Sequence, residues 1–202
     1  ATSSPTVTPT LTSTPTYTPT PLASPTAMPT QEPTPPVCPG LPIIDVPATI
    51  AQDTTWVSGY VYRVTGLSMI NTGVTLTLNP GVIVKFQNNG TTKGKLAVNG
   101  ILHAEGTADE PIVFTSIYDD AYGCDSEYGG GAIDPTAGDW DGVYISSTGT
   151  GSSFTHVLFQ YGGSSDANLV VTSSSVNFIS SSSKWSAKNG LTWKDGASGS
   201  IA

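Results

Sequence analysis

Charged residues are scarce in this sequence, and basic residues are the scarcest of them. Of 202 residues, 7 are Lys or Arg and 15 are Asp or Glu, which gives a formal net charge of −8. Nucleic-acid-binding proteins neutralise phosphates with clustered basic side chains, and anionic membrane surfaces repel an acidic chain. The composition therefore excludes nucleic acid as a partner and favours cations.

Long apolar runs are also missing. No window approaches the roughly 18 consecutive apolar residues that a membrane helix needs, so we expect no membrane insertion. The sequence begins Ala-Thr-Ser-Ser, without the basic and apolar regions of a signal peptide. We interpret the chain as a soluble protein from which any export signal has been removed.

Cysteine occurs only twice, as Cys38 and Cys124. Two cysteines are too few for a disulfide scaffold, and their separation lacks the paired spacing of a zinc site. They can form one bridge at most.

Residues 1–37 have a composition of their own, with ten prolines, twelve threonines and one charged residue, Glu32. Proline fixes φ and removes a hydrogen-bond donor, so this arm cannot build a core and favours extended polyproline II. Its prolines follow a ten-residue repeat. Two interpretations stay open: a solvated, O-glycosylated spacer, or an arm that docks on a periodic partner. The expected O-glycosylation sites are Thr8, Thr10, Thr14, Thr18 and Thr20.

From Cys38 onward, short apolar alternations are separated by Gly, Asn, Pro and Asp. No helical periodicity is long enough for a crossover helix. This pattern indicates an all-β chain over residues 38–202, with strands too short and too frequent for an ordinary sandwich. The predicted strands span residues 60–64, 74–78, 82–86, 95–98, 101–104, 112–115, 143–146, 154–159, 169–172, 176–179 and 191–194.

Apolar positions recur 22 residues apart toward the end of the sequence. The sets are Leu169 with Leu191, Val171 with Trp193, and Val157 with Ile179 and Ile201. Strands and turns repeated at this period indicate a solenoid. The repeat lacks a helical stripe and the leucine pattern of leucine-rich repeats, so it favours a parallel β-helix. Polar runs such as residues 172–175 and 180–183 are then expected on outer faces and corners.

The segment VTLTLNPGVIVKFQNNGTTKGKLAVNGILHAEGTADEPIVFTS, residues 74–116, resembles the opening coils of bacterial extracellular right-handed parallel β-helix proteins of the pectin-lyase-like superfold. The resemblance continues through residues 118–120 and 138–140 and covers most of residues 54–202. It implies a right-handed parallel β-helix preceded by an extended Thr/Pro-rich arm. This superfold hosts lyases, hydrolases, adhesins and structural proteins, so it implies little about function. Similar linkers occur in secreted proteins of filamentous, surface-dwelling bacteria, which implies an extracellular or cell-surface location.

Acidic residues concentrate in one segment. Ten of the fifteen carboxylates lie between Glu105 and Asp141, while no Lys or Arg occurs between Lys95 and Lys184. Residues 116–139 interrupt the coil spacing and predict a long excursion from the solenoid. Crowded carboxylates without basic partners repel one another unless a cation or water screens them, and calcium is the simplest such cation. The candidate calcium ligands are Asp119, Asp120, Asp125, Glu127 and Asp134.

A solvated acidic loop is the alternative to calcium. Related β-helix proteins show a more regular Asp/Asn-rich run here that resembles a calcium loop, and CDSEYGGG, residues 124–131, departs from it. In an exported protein, a Cys38–Cys124 disulfide is favoured over two free thiols. Such a bridge would tie the excursion to the first coil.

A catalytic set is hard to assemble from these residues. Pectin-type hydrolysis needs convergent carboxylates. Asp139 and Asp141 share one face of a strand with Trp140 on the other, but they flank a Gly-rich turn and Trp140 suits a core position. A lyase needs a basic residue, and one arginine and six lysines are few. His103 and His156 lack a clear partner, so the sequence favours a non-enzyme while leaving activity open.

The last 22-residue position, Ile201, predicts a final coil without a cap. Either the sequence is a fragment of a longer helix, or a second copy covers the open end head to tail, which builds a filament. Two functions follow. The first is a non-catalytic extracellular structural or adhesive protein, in one form a subunit of a head-to-tail surface filament. The second is a carbohydrate-active or carbohydrate-binding β-helix with a polysaccharide partner, indicated by Trp140, Tyr144, Tyr161 and the acidic loop.

Overall fold

A computed structural model describes residues 40–127 and 133–202, which form β-strands joined by turns and loops. No α-helix occurs in these two ranges, and within them no helix could span a membrane. In chain order the strands are β1 (Ile43–Asp45), β2 (Thr49–Ile50), β3 (Thr54–Trp56), β4 (Val61–Val64), β5 (Leu67–Ile70), β6 (Thr75–Leu78), β7 (Ile83–Phe86), β8 (Lys95–Val98), β9 (Ile101–Glu105), β10 (Ile112–Ser116), β11 (Gly142–Ile145), β12 (Ser153–Thr155), β13 (Val157–Gln160), β14 (Ala167–Thr172), β15 (Asn177–Ile179), β16 (Ser182–Lys184) and β17 (Asn189–Lys194).

The strands build three sheets, and every strand pair in them is parallel. Sheet A has the order β1-β4-β7-β10-β13-β16, sheet B the order β2-β5-β8-β11-β14-β17, and sheet C the order β3-β6-β9-β12-β15. Each coil therefore contributes one strand to each sheet in turn. The predicted right-handed parallel β-helix is confirmed.

Apolar side chains fill the interior in rows that stack from coil to coil. One row of sheet B consists of Ile50, Ile70, Val98, Ile145, Val171 and Trp193. Behind sheet A the buried rings of Phe86, Phe114 and Phe159 stack, with successive centroids 6.3 and 4.7 Å apart. Burying one such side chain contributes about 1.5–3 kcal/mol, so these rows hold neighbouring coils together.

The 22-residue period is correct for the step from β14 to β17 in sheet B, but not for the step before it, in which Val143 pairs with Leu169, 26 residues later. The sets that begin at Leu169 and Val171 pair within sheet B as predicted. The third set is wrong, because Val157 lies in sheet A, Ile179 lies in sheet C, and Ile201 forms an isolated bridge beside sheet C. Corners differ in length from coil to coil, so one period cannot follow all three sheets.

Single residues in the left-handed conformation turn the chain in the last coils of the described range. His156 (φ 49°) and Ser180 (φ 46°) lead from sheet C to sheet A, and Tyr161 (φ 64°) and Trp185 (φ 48°) lead away from sheet A. Bulky residues rarely adopt positive φ. The predicted strand over 154–159 is therefore two strands, separated at His156.

The sequence does not predict β1, β2, β3, β5 or β16. In β5, Ser68 points into the core and is 2% exposed, which breaks the apolar pattern. In β16, Ser182 and Ser183 pair with β13 although the serine run is expected at a corner. Here the neighbouring strand, rather than β-propensity, determines that a strand forms.

Candidate functional site

The outer face of sheet A carries one polar side chain per coil in a single row. The row consists of Asp45, Arg63, Lys85, Thr115, Gln160 and Lys184. Outward residues of a sheet are normally exposed when nothing covers them, yet the four central members are at most 4% exposed. Residues 117–141, between β10 and β11, are here called the excursion, and its described residues, 117–127 and 133–141, cover this row, with Asp119 and Cys124 in contact with it.

Asp119 holds the excursion onto sheet A. Its carboxylate accepts hydrogen bonds from Thr115 Oγ1, at 2.5 Å, and from Gln160 Nε2. It also accepts a hydrogen bond from the Ala121 backbone N–H at 3.3 Å. Asp119 is 3% exposed, so its charge is compensated by buried donors of β10 and β13.

Lys85 lies beneath the excursion with 0% of its surface exposed. Its Nζ donates a hydrogen bond to the backbone carbonyl of Cys124 at 2.7 Å. Burial lowers the pKa of the Lys85 ammonium, and the negative charge of nearby Asp120 opposes this shift. The sequence near the acidic residues contains no basic side chain, but Lys85 of β7, in the preceding coil, places a positive charge beside them.

Two further lysines from preceding coils also reach the excursion. Lys93 Nζ donates a hydrogen bond to the carbonyl of Gly138, and Lys95 Nζ lies 3.3 Å from a carboxylate oxygen of Asp141. Stacking therefore brings positive charge to a segment that contains none of its own.

Three of the five predicted calcium ligands come together. Ligand oxygens of Asp120, Asp125 and Glu127 all lie within 4.8 Å of one another. Burial raises the pKa of Asp120 and of Glu127, and the charge of Asp125 raises both further. Asp119, turned toward sheet A, and the exposed Asp134 do not belong to this group.

A comparison with protein-family models supports the architecture directly. The model described as a pectate-lyase like beta helix domain matches residues 48–179. The chain belongs to this family. No curated protein and no solved structure matches the chain. The family match confirms the predicted fold. In this pectate-lyase-like β-helix, catalytic activity would depend on the geometry of the remaining candidate residues.

The two carboxylates considered for hydrolysis are engaged in different contacts. Asp139 is buried and accepts hydrogen bonds from Ser116 Oγ at 2.7 Å and from the Thr136 backbone N–H at 2.9 Å. Asp141 pairs with Lys95. Burial raises the pKa of Asp141, but hydrogen bonds from Ser165 and the charge of Lys95 outweigh burial and leave it lowered. Asp141 therefore lacks the raised pKa of a general acid.

Trp140, one of the residues that indicated carbohydrate recognition, is not on the surface. Its ring is 0% exposed and stacks on Phe86, with centroids 4.0 Å apart. Its Nε1–H donates to the carbonyl of Gln160 at 2.8 Å. Trp140, near the end of the excursion, therefore packs into the core and cannot contact a sugar.

Tyr144 and Tyr161 are half-buried at the surface, and sequence reasoning missed the exposed Trp185. Trp185 is 56% exposed and stacks on Tyr161, with ring centroids 4.9 Å apart. Lys184 Nζ lies 5.9 Å from the Trp185 ring centre, and Lys95 Nζ lies 3.6 Å above the ring of Tyr144. Tyr161 and Trp185 occupy the same corner in successive coils, and this repeat could have identified Trp185 from the sequence.

The histidines form no catalytic arrangement in the described residues. His103 Nδ1 is 3.0 Å from Ser153 Oγ, and that hydroxyl donates to Glu105 Oε1 at 2.9 Å. Because the serine proton points to Glu105, Nδ1 of His103 acts as the donor and cannot serve as a base toward Ser153. His156 occupies a corner.

Several predicted sites involve residues outside the described ranges. Cys124 is buried, but Cys38 lies outside, so the Cys38–Cys124 disulfide stays a prediction. The O-glycosylation sites of the arm also lie outside: Thr8, Thr10, Thr14, Thr18 and Thr20.

Proposed function

We propose that this pectate-lyase-like β-helix is a non-catalytic structural or adhesive protein that works outside the cell or at its surface. The observation that carries this proposal is the burial of the polar row of sheet A beneath the excursion. Lys85 and Asp119 are hydrogen-bonded within the protein. General acid–base catalysis needs such groups within hydrogen-bond reach of a substrate, and here the excursion occupies that space.

The extracellular location draws on composition. The Thr/Pro-rich arm and the acidic, charge-poor solenoid suit a secreted, glycosylated surface protein. Fractionation of the producing cells with an antibody to the solenoid tests this, and a purely cytoplasmic signal would contradict it.

Self-association head to tail is the finer form of the proposal. Among the described residues, β1, β2 and β3 on one side and β16 and β17 on the other each have one edge without a neighbouring strand, while the outer edge of β15 is bridged by Ile201. Unpaired strand edges are templates for further pairing. Both ends present the same three-sheet cross-section, so a second copy can continue all three sheets.

The experiment combines an activity assay with an assembly assay. Purified full chain is incubated with acidic and neutral polysaccharides, and we expect no new reducing ends and no unsaturated products. Sedimentation velocity over a range of concentrations should show association, which Ile201→Lys should weaken because Ile201 is 67% exposed beside sheet C. Leu67→Lys, on the outer face of β5 and 57% exposed, is the matched control. Polysaccharide cleavage would refute the non-catalytic proposal, and a monomer at every concentration would refute self-association.

Polysaccharide binding is a second candidate, favoured by the exposed Trp185 ring on Tyr161. Aromatic side chains with one apolar face and a polar rim are frequent binding residues. Gel retardation in polysaccharide-containing gels should be lost in Trp185→Ala and kept in Leu67→Ala. Equal mobility of Trp185→Ala and the intact protein would exclude this surface.

A further inference from the structure

The turn between β7 and β8 carries an Asn-Gly pair at its exposed tip. Asn88 and Lys93 form an antiparallel bridge, and residues 89–92 form the exposed loop beyond it. The Asn89 N–H closes this loop by donating to the Thr92 carbonyl at 3.2 Å. Gly90 has φ 81°, a conformation that glycine adopts without strain. The turn is therefore a small hairpin that lies outside the three sheets.

The hydrogen bonds of this loop make the side chain of Asn89 a good electrophile. Its Oδ1 accepts from the backbone N–H groups of Thr91 at 3.2 Å and of Thr92 at 2.6 Å. Two such donors stabilise negative charge that develops on a carbonyl oxygen, as in an oxyanion hole. The next residue, Gly90, has no side chain to hinder the approach of its backbone nitrogen. The N–H of Gly90 donates only to the side-chain oxygen of Asn88, at 2.9 Å, and not to a strand.

We propose that Asn89 is a site of spontaneous deamidation, with water as the only co-reactant. The backbone nitrogen of Gly90 attacks Cγ of Asn89 and loses its proton. The bond from Cγ to Nδ2 breaks, the amide leaves as ammonia, and a five-membered succinimide ring remains. Water then opens the ring at either of its two carbonyls and gives aspartate or isoaspartate, with no oxidation or reduction.

The sequence contains two more Asn-Gly pairs, and the structure separates them from Asn89. After Asn99, the buried Gly100 donates its N–H to the Ile70 carbonyl at 3.2 Å. Asn189 is the first residue of β17 and pairs with β14. Closing the succinimide ring requires rotation of the asparagine backbone about its Cα–C bond, which would break the hydrogen bonds between coils at these two positions. Only Asn89 can rotate without disturbing a sheet.

The hairpin also contacts the excursion through both of its bridge residues. Tyr118 donates its hydroxyl to the Asn88 carbonyl at 2.7 Å, and Lys93 Nζ donates to the Gly138 carbonyl. Isoaspartate adds one carbon to the backbone between Asn88 and Lys93. Deamidation should therefore break the bridge and loosen the excursion, whether or not the β-helix is catalytic.

The test is peptide mass spectrometry of the full chain after incubation in buffer, compared with the same incubation in guanidinium chloride. Trypsin cuts after lysine, so residues 86–93 report on Asn89 and residues 189–194 report on Asn189. In the folded protein Asn89 should convert at least about tenfold faster than Asn189, since ring closure at Asn189 breaks hydrogen bonds of the sheet. In guanidinium chloride the two rates should become similar. Both rates should rise with pH, because the attacking nitrogen loses its proton.

Asn89→Gln is the matched control variant. It keeps an amide but must close a larger ring, so residues 86–93 should keep their mass. Conversion of Asn89 that is no faster than that of Asn189 in the folded protein would overturn the proposal. After long incubation, chymotrypsin should cut the excursion of the intact protein faster than that of Asn89→Gln, and equal rates would overturn the link to the excursion.

Discussion

Replacing Asp119 by alanine should release the excursion from sheet A. The substitution removes the acceptor of two buried side-chain donors, Thr115 Oγ1 and Gln160 Nε2. Both donors are at most 3% exposed, so water cannot replace the carboxylate without opening the excursion. The loss should therefore appear both as lower stability and as local opening.

The expected magnitude follows from the two hydrogen bonds. A hydrogen bond to a charged group contributes about 1.5–3 kcal/mol, so Asp119→Ala should cost about 3–6 kcal/mol of unfolding free energy. In a protein of this size each kcal/mol lowers the melting temperature by about 2–4 °C, or about 6–24 °C in total. Asp119→Asn keeps one acceptor oxygen and should lose about half as much.

Urea unfolding followed by circular dichroism measures the global loss. Chymotrypsin cleavage measures local opening, because Tyr118 and Tyr122 lie in the excursion. We expect cleavage there before the solenoid unfolds. Asp109→Ala is the matched control, since Asp109 is exposed, and surface substitutions of this kind change stability by about 0.5 kcal/mol or less.

Two results would refute this account of Asp119. One is a urea midpoint for Asp119→Ala that matches that of Asp109→Ala. The other is an excursion that stays as resistant to chymotrypsin in Asp119→Ala as in the intact protein.

Three further changes have defined outcomes. Trp140→Ala should cost about 3–5 kcal/mol in urea unfolding, because the ring stacks on Phe86 in the core, and a loss below about 1 kcal/mol would contradict that packing. Burial, then the charges of neighbouring aspartates, raises the pKa of Tyr144 to about 12, so Tyr144→Phe should remove the last tyrosine class in an absorbance titration. The hydrogen bond from Lys194 lowers the pKa of Asp166, so its stabilisation is present above the ordinary carboxyl pKa and is lost as pH falls. Asp166→Asn should lower the urea midpoint at pH 7, and the difference from the intact protein should shrink as pH falls below about 4.

Much of the fold could be predicted because β-helix coils repeat local signals. The alternation in β7 and β8 marks strands, and Ser116, where the predicted excursion begins, is the last residue of β10. The lengths of the corners could not be predicted this way. A single left-handed residue at His156 and a long excursion after Ser116 both join successive strands, and no local pattern states which strand will lie beneath which.

The candidate site was less predictable because its parts come from different coils. The alternation of inward and outward residues along β7 places Lys85 on the outer face. From the sequence alone, such a lysine would be expected to be solvated. Lys85 is buried only because the excursion, which follows β10, folds over it and places Cys124 beside it. Basic residues are therefore distant from the acidic segment in the sequence but close to it in the structure.

The same stacking divides neighbouring carboxylates between two roles. Asp119 and Asp120 are adjacent in sequence, yet Asp119 turns to the donors of sheet A while Asp120 turns to Asp125 and Glu127. A charge-neutralising change at Asp119 should therefore loosen the excursion, because its carboxylate accepts hydrogen bonds from two donors of sheet A. The same change at the exposed Asp120 should leave the excursion attached, so the chymotrypsin sensitivities of Asp119→Asn and Asp120→Asn should differ.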